Sequence, residues 1–255
     1  GPAVGDTMLG ADGQTLVGVP TGSFMMGNED GYPNEEPIHH VTLSGFWIAR
    51  CEVTNSQFAE FLNVAKPADV TEWLKIADPD CGIELVGSVY DPKDLLDNHP
   101  AVCVTWNGAR AYCDHFGYIL PTEAQWEYAA AGPDARLYPW GNEWVAARCC
   151  NRDNIGPFGT TVTVDALTAG VSWCGALNMA GNVWEWCADW YGETYYSQSP
   201  AVDPSGPDDG FVRILRGGSY LYNWYDCRNT TRNSRRPEIG FNDFGFRVAQ
   251  VADGA

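Results

Sequence analysis

The 255-residue chain has no apolar run near the roughly 18 residues that would span a bilayer. It has no internal repeat and no low-complexity linker. It has no C-x-x-C, no H-E-x-x-H, no G-x-S-x-G elbow, no phosphate loop and no dinucleotide fingerprint, so the common zinc, hydrolase and nucleotide chemistries lose their sequence signatures. The four His (39, 40, 99, 115) stand in no metal-ligand spacing. Positive charge is scarce: the formal net charge is -18, which repels nucleic acid and anionic membranes.

What is present points to one well-packed domain rich in turns. Hydrophobic residues make up 45% and aromatics 13%, with 11 Trp, 28 Gly and 16 Pro. Gly1-Pro2 reads as a protease scar, with any native signal or lipid anchor lying before it, and 3–255 as a single domain. Seven of the twelve Arg lie at or after Arg213, which suggests a more basic C-terminal surface on an acidic body. The nine Cys (51, 81, 103, 113, 149, 150, 174, 187, 227) sit mostly in apolar stretches and read as buried reduced thiols, with one or two disulfides as the alternative.

Three helices are legible. Thr54 with Gln57 forms a capping box that puts Phe58, Phe61 and Leu62 on one face. A second helix starts near Asn107, buries Ala109, Tyr112, Cys113 and Phe116, and stops at Gly117. A third starts at Thr122 with Gln125 as its box partner, buries Trp126 and Ala129-Ala130, and ends at Gly132. Strands are expected at Thr15–Val19, Val41–Ile48 and Val212–Leu215. Ordered loops are expected from Tyr138 to Gly210, held by a staple such as an ion, a disulfide or aromatic packing.

Several segments occur in one order: Ser23-Phe-Met-Met-Gly27, Glu52-Val-Thr-Asn55, Pro100-Ala-Val-Cys-Val-Thr-Trp-Asn107, Leu120-Pro-Thr-Glu-Ala-Gln-Trp-Glu-Tyr-Ala-Ala130, Tyr138-Pro-Trp-Gly141, Leu177-Asn-Met-Ala-Gly-Asn-Val-Trp-Glu-Trp186, Leu215-Arg-Gly-Gly-Ser219 and Gly245-Phe-Arg-Val248. Together they resemble the formylglycine-generating-enzyme family, also called sulfatase-modifying factors, from about residue 16 to 250. The resemblance implies an α+β C-type-lectin-like fold with little regular structure and long ordered loops. It also implies copper held by two cysteines, three and eight residues after the Ser of Gly-Gly-Ser. Tyr222 and Cys227 occupy those places. One thiolate remains, and a mostly protonated phenol replaces the other, so the reading is no copper and no enzyme. The resemblance further implies a structural calcium site at Asn178, Gly181, Val183 and Glu185, whose hard oxygens suit calcium. The alternative is that Asn178 and Glu185 hydrogen-bond the loop backbone.

The stretch from Tyr220 to Phe244 mixes Tyr, Leu, Ile and Phe with Asn, Asp and Ser, without period 2 or 3.6. It resembles the variable region of proteins diversified by retroelements, in which template Asn codons mutate at adenines. Lys, Met and Gln are not reached from such codons, and none occurs between Tyr220 and Phe244. Leu221, Tyr222, Asn223, Tyr225, Asp226, Thr231, Asn233, Ser234, Arg235, Ile239, Phe241, Asn242 and Asp243 read as diversified. Ser219, Trp224, Cys227, Arg228, Arg232, Arg236, Pro237, Gly240 and Gly245-Phe246-Arg247 read as framework, with Trp224 in the core or a pocket floor. Tyr with small polar residues is paratope chemistry. The sequence therefore reads as a non-catalytic binder of protein or cell-surface ligands through the 220–244 face, without nucleic acid, on a surface or virion or secreted. The alternatives are a family member of fixed specificity and an enzyme with other chemistry in the same groove.

Overall fold

The computed structural model describes residues 1–156 and 159–252. Strands β1 (Thr7–Leu9), β2 (Thr15–Val19), β3 (Gly22–Met26), β4 (His39–Leu43) and β5 (Phe46–Ala49) precede helix α1 (Asn55–Ala65). A hairpin, β6 (Ile83–Val86) and β7 (Val89–Pro92), leads to α2 (Trp106–Phe116) and α3 (Glu123–Ala131). Strands β8 (Trp184–Trp190), β9 (Arg213–Arg216), β10 (Arg232–Arg235), β11 (Phe244–Gly245) and β12 (Ala249–Val251) follow. One sheet runs β1-β2-β5-β12 and joins the two ends of the chain; another runs β10-β9-β8-β11. Among the described residues no helix is long and apolar enough to cross a membrane.

The helices begin where side chains can satisfy the first free N–H groups. Thr54 Oγ1 accepts from Gln57 N at 3.2 Å while Gln57 Oε1 accepts from Thr54 N at 2.9 Å. Thr122 and Gln125 repeat the arrangement. Thr105 caps α2, which starts at Trp106 and ends on left-handed Gly117. Phe58, Phe61, Tyr112 and Phe246 then meet ring to ring, with centroids 5.3–6.0 Å apart. A second cluster packs Trp126 of α3 against Val19, Phe46 and Ile48.

Two expectations about strands change. The strand Val41–Ile48 is two strands in two sheets, broken at Ser44-Gly45, where the Ser44 N–H and hydroxyl both donate to Asp203 at 2.8 Å. The Tyr138–Gly210 stretch holds β8, at the centre of the second sheet. Its first four residues are all buried, so the alternation that marks a half-buried strand is missing. Pro2 is buried, and a Cβ on Gly18 or Gly45 would fall 3.1–3.2 Å from it. All nine cysteines are free thiols, and all but Cys51 are buried.

The largest correction concerns the arginines, which mostly run inward instead of forming a basic C-terminal surface. Arg216 donates to Glu123 at 2.8 Å and to Glu127, and Arg232 makes two bonds to Glu123 at 2.7 and 2.8 Å. Arg228 holds Glu35 with bonds of 2.7 and 2.9 Å, and Arg247 holds Glu185 with two of 2.6 Å. All eight partners are buried. Burial alone would raise the Glu123 carboxyl, but Arg232 and Arg216 outweigh it and hold it below its ordinary range. Its contribution is therefore present above the unfolded carboxylate pKa and is lost as pH falls through the folded value.

Removing one member of such a set leaves a buried charge without its partner. Urea unfolding of Glu123→Ala is expected to show a loss of about 3–5 kcal/mol. Arg110→Ala, which breaks the exposed pair with Asp114, should change stability by less than about 0.5 kcal/mol. A small loss for Glu123→Ala would show that the buried pairs are not holding the fold.

Candidate functional site

Strand β9 ends at Arg216 and the chain turns through Gly217 (φ 99°) and Gly218 (φ 75°). A Cβ on Gly217 would stand 3.1 Å from the Trp126 ring, and one on Gly218 2.8 Å from Cys227 Sγ. Glycine is required twice, for backbone angle and for space. The turn delivers Ser219, whose hydroxyl donates to Asp243 Oδ2 at 2.8 Å, fastening the outgoing loop to the returning one. Tyr220 N donates to Asn182 O, and Cys103 N to Phe241 O, so both loops are also tied by backbone to the body.

On this base the expected variable residues separate by exposure. Leu221 (49%) and Phe241 (46%) are exposed. Tyr222, Asn223, Tyr225, Asp226, Asn233, Ser234, Arg235, Ile239 and Asn242 are half-buried. They converge around aromatic ground. Tyr222 stands edge-on to Trp184 at 5.4 Å, Phe241 edge-on to Phe244 at 5.1 Å, and the Arg235 guanidinium lies 6.0 Å from the Phe244 centroid. Tyr225 packs against Tyr32 at 4.9 Å with Arg228 over its ring at 4.0 Å, and Tyr32 donates its hydroxyl proton to Asp226 at 3.0 Å. Asn242 donates to Asp80 at 2.7 Å. It also lines a cavity of about 490 Å³ with Asn55, Asp80, Cys81, Lys93 and His99.

Two assignments on this segment are corrected. Thr231 and Asp243 are buried: Thr231 donates to Tyr225 O at 3.1 Å, and Asp243 holds Ser219. They brace the loops and do not face outward. Trp224, read as core or pocket floor, is 48% exposed; its backbone carbonyl accepts from the Tyr138 hydroxyl at 3.1 Å and its ring meets Tyr225 edge-on at 5.2 Å.

Asn178 and Glu185 of the expected calcium set lie in one buried polar cluster with a residue that the sequence reading passed over. Glu52 is fully buried and accepts from Asn178 Nδ2 at 2.9 Å and Asn182 Nδ2 at 2.8 Å. Asn178, Gly181 and Asn182 all take positive φ, which wraps this turn around Glu52. Glu185 accepts both bonds from Arg247 and one from Trp126 Nε1 at 2.8 Å. Glu52 was visible only as part of a quoted motif, and nothing in its neighbours signals that it turns inward. Burial, with Glu185 adding to it against the pull of Arg247, raises its carboxyl to about 7.

At the place implied for copper, burial keeps the Tyr222 phenol up and protonated, which makes it a poor metal ligand. Cys227, however, is not alone. It packs with Cys149 and Ala180, and the neighbouring Cys149 thiol together with burial keeps the Cys227 thiol protonated, well above its ordinary range. Cys149 carried no signal, because its partner lies 78 residues away in sequence.

The sequence profile of the sulfatase-modifying factor enzyme 1-like domain matches residues 7–252. The formylglycine-generating enzyme of Streptomyces coelicolor is 37% identical over 282 residues, covering 93% of this chain and 89% of that protein. The structure of PvdO from Pseudomonas aeruginosa superposes with a TM-score of 0.80 at 26% identity, over 99% of this chain and 100% of that one. Treponema denticola variable protein 1 superposes with a TM-score of 0.76 at 24% identity, over 97% and 99%, a likeness of fold alone. The expected α+β, C-type-lectin-like fold holds. The expectation that the chain is no enzyme does not. A relative bearing an enzyme's name matches it over nearly its whole length, and one replaced cysteine does not outweigh that match.

The raised Glu52 carboxyl has a signed consequence. A folded pKa above the unfolded value contributes stability that is full below the unfolded pKa and is lost as pH rises through about 7. The wild-type melting temperature is expected to fall as pH rises from about 4.5 to about 7 and to level off above, and Glu52→Gln should flatten that slope. An unchanged slope in Glu52→Gln would remove Glu52 as its source.

Proposed function

The chain belongs to the sulfatase-modifying factor enzyme 1-like family, and on that premise we propose that its 220–244 face is a recognition surface for a protein or cell-surface ligand, diversified by a retroelement acting on template adenines. The supporting observation is a division along the segment. Framework residues Ser219, Cys227, Arg228, Arg232, Gly240 and Arg247 are buried, with Trp224, Arg236 and Pro237 as exceptions, whereas every position read as diversified except Thr231 and Asp243 reaches the surface. A segment selected only to pack the last strands has no reason to divide this way. The outward set combines aromatic area with small polar groups, which binds varied partners at low conformational cost. The acidic body favours a ligand other than nucleic acid.

A second reading, an enzyme using the same groove with other chemistry, is favoured by the names of the relatives and by the two thiols beneath Tyr222. The readings are compatible, since Tyr222 belongs to the outward set and also walls the thiol pair.

Calcium at Asn178, Gly181, Val183 and Glu185 is part of the same proposal. With Glu52 ionised, two buried carboxylates face one guanidinium, and a hard divalent cation would neutralise the excess. Arg247 already holds both Glu185 oxygens, so the ion would share that carboxylate. A melting temperature that rises with added calcium and falls on chelation supports the site; identical melts remove it.

Gene neighbourhood tests the diversification directly. A reverse-transcriptase gene and a near-copy of the 220–244 coding segment differing at adenines are expected beside this gene, and their absence would end the retroelement reading. In the protein, simultaneous substitution of Leu221, Asn223, Ser234 and Phe241 should cost less than about 2 kcal/mol, the lower end of core truncation, while abolishing capture of a bound ligand. A larger loss would make these residues structural.

A further inference from the structure

Asn55 opens α1, is 1% exposed and lines the cavity of about 490 Å³. Its Nδ2 donates to Leu96 O at 2.9 Å, which fixes the amide. Among the described residues nothing donates to its Oδ1. A buried amide oxygen without a donor is costly, so this one is suited to an incoming N–H. A Cβ on Gly82 would fall 2.6 Å from that oxygen, so glycine keeps the approach clear. The volume lies within the range of about 300–1,000 Å³ found for small-molecule sites.

The charge around the cavity says what carries that N–H. Among its described lining residues three exposed carboxylates, Asp80, Glu84 and Asp94, stand with one ammonium, Lys93, which donates to Pro79 O at 2.9 Å. Burial lowers the His99 pKa, so at neutral pH the ring adds no positive charge. Three carboxylates less one ammonium leave two negative charges unmatched. An anion would meet repulsion there. Among the described residues no group of three or more His, Cys, Asp or Glu is placed to hold a metal, so the three carboxylates are too widely spread for one ion. They suit an extended cation. Leu96, Pro100 and Val102 supply apolar wall for a methylene chain. We propose that this cavity binds an aliphatic diamine. One ammonium donates to Asn55 Oδ1, the chain lies on the apolar wall, and the second ammonium sits among the carboxylates. Its two positive charges match the two that are unbalanced.

The site stands apart from the recognition reading: of the positions read as diversified, Asn242 alone is among its described lining residues. Its test needs no protein ligand. Isothermal titration calorimetry of the full-length chain with putrescine, at about 0.15 M salt to screen diffuse attraction, is expected to show one saturable equivalent. n-Butylamine and N-acetyl-lysine methylamide, each with a single ammonium, should bind about tenfold or more weakly, the loss of one charged hydrogen bond. Asp80→Asn combined with Glu84→Gln should weaken putrescine by a similar factor. Asp208→Asn combined with Asp209→Asn removes the same charge from exposed residues outside the cavity lining and should leave binding unchanged. Gly82→Ala, which crowds Asn55 Oδ1, should also weaken it; a circular dichroism melt shows whether that variant folds, and the two exposed pairs carry the test if it does not. No saturable putrescine binding would overturn the site. So would equal binding of either monoamine, or equal weakening by both charge-removing pairs, which would mean diffuse attraction to the acidic body.

Discussion

The fold depends on carrying arginine charge into the interior and meeting it with carboxylates distant in sequence. Arg216 and Arg232 converge on Glu123, Arg228 reaches Glu35, and Arg247 reaches Glu185. Each pair crosses from the C-terminal third to an earlier segment, so each ties a loop that has little regular structure of its own. Isolated burial of these ions would cost several kcal/mol apiece. The bidentate geometry at Glu35, Glu123 and Glu185, with extra acceptors such as Asn229 O and Leu177 O, is what offsets that cost. Such pairs specify position more than they add stability, because a guanidinium fork accepts few alternative placements. Position is what a segment with irregular backbone needs.

How much of this was legible follows from how local each signal is. The caps at Thr54 and Thr122 involve residues three apart, and both helices start where the sequence places them. The glycine stop of α2 is equally local. Burial is not local. The clustering of arginine after Arg213 looks like a basic surface because sequence shows charge and not its partner, and Glu35, Glu123 and Glu127 lie far upstream. Strand β8 fails for a related reason: buried on both faces, it lacks alternation and merges with the Trp- and Gly-rich text around it. Glu52 and Cys149 matter only through contacts with residues that topology brings to them, so neither carries a sequence mark.

The same distinction explains the outcome on the 220–244 face. The division of this segment rested on residue type, and burial follows type at Arg228, Arg232 and Phe241. It fails at Thr231 and Asp243, small polar residues used to close hydrogen bonds between loops. It fails again at Trp224, a large aromatic left half outside, with its ring edge-on to Tyr225 and its carbonyl held by Tyr138.

The Cys149–Cys227 cluster and the outward side chains of the 220–244 segment meet at Tyr222. A phenol at 222 packs edge-on to Trp184 and covers the Cys149–Cys227 cluster. Trp140 and Trp144 pack on the same cluster, so Tyr222 is half-buried over it, whereas Leu221 beside it is half exposed. A surface built over a chemical site can vary freely only where its side chains point away from that site, and the Gly217-Gly218 turn sets which ones do.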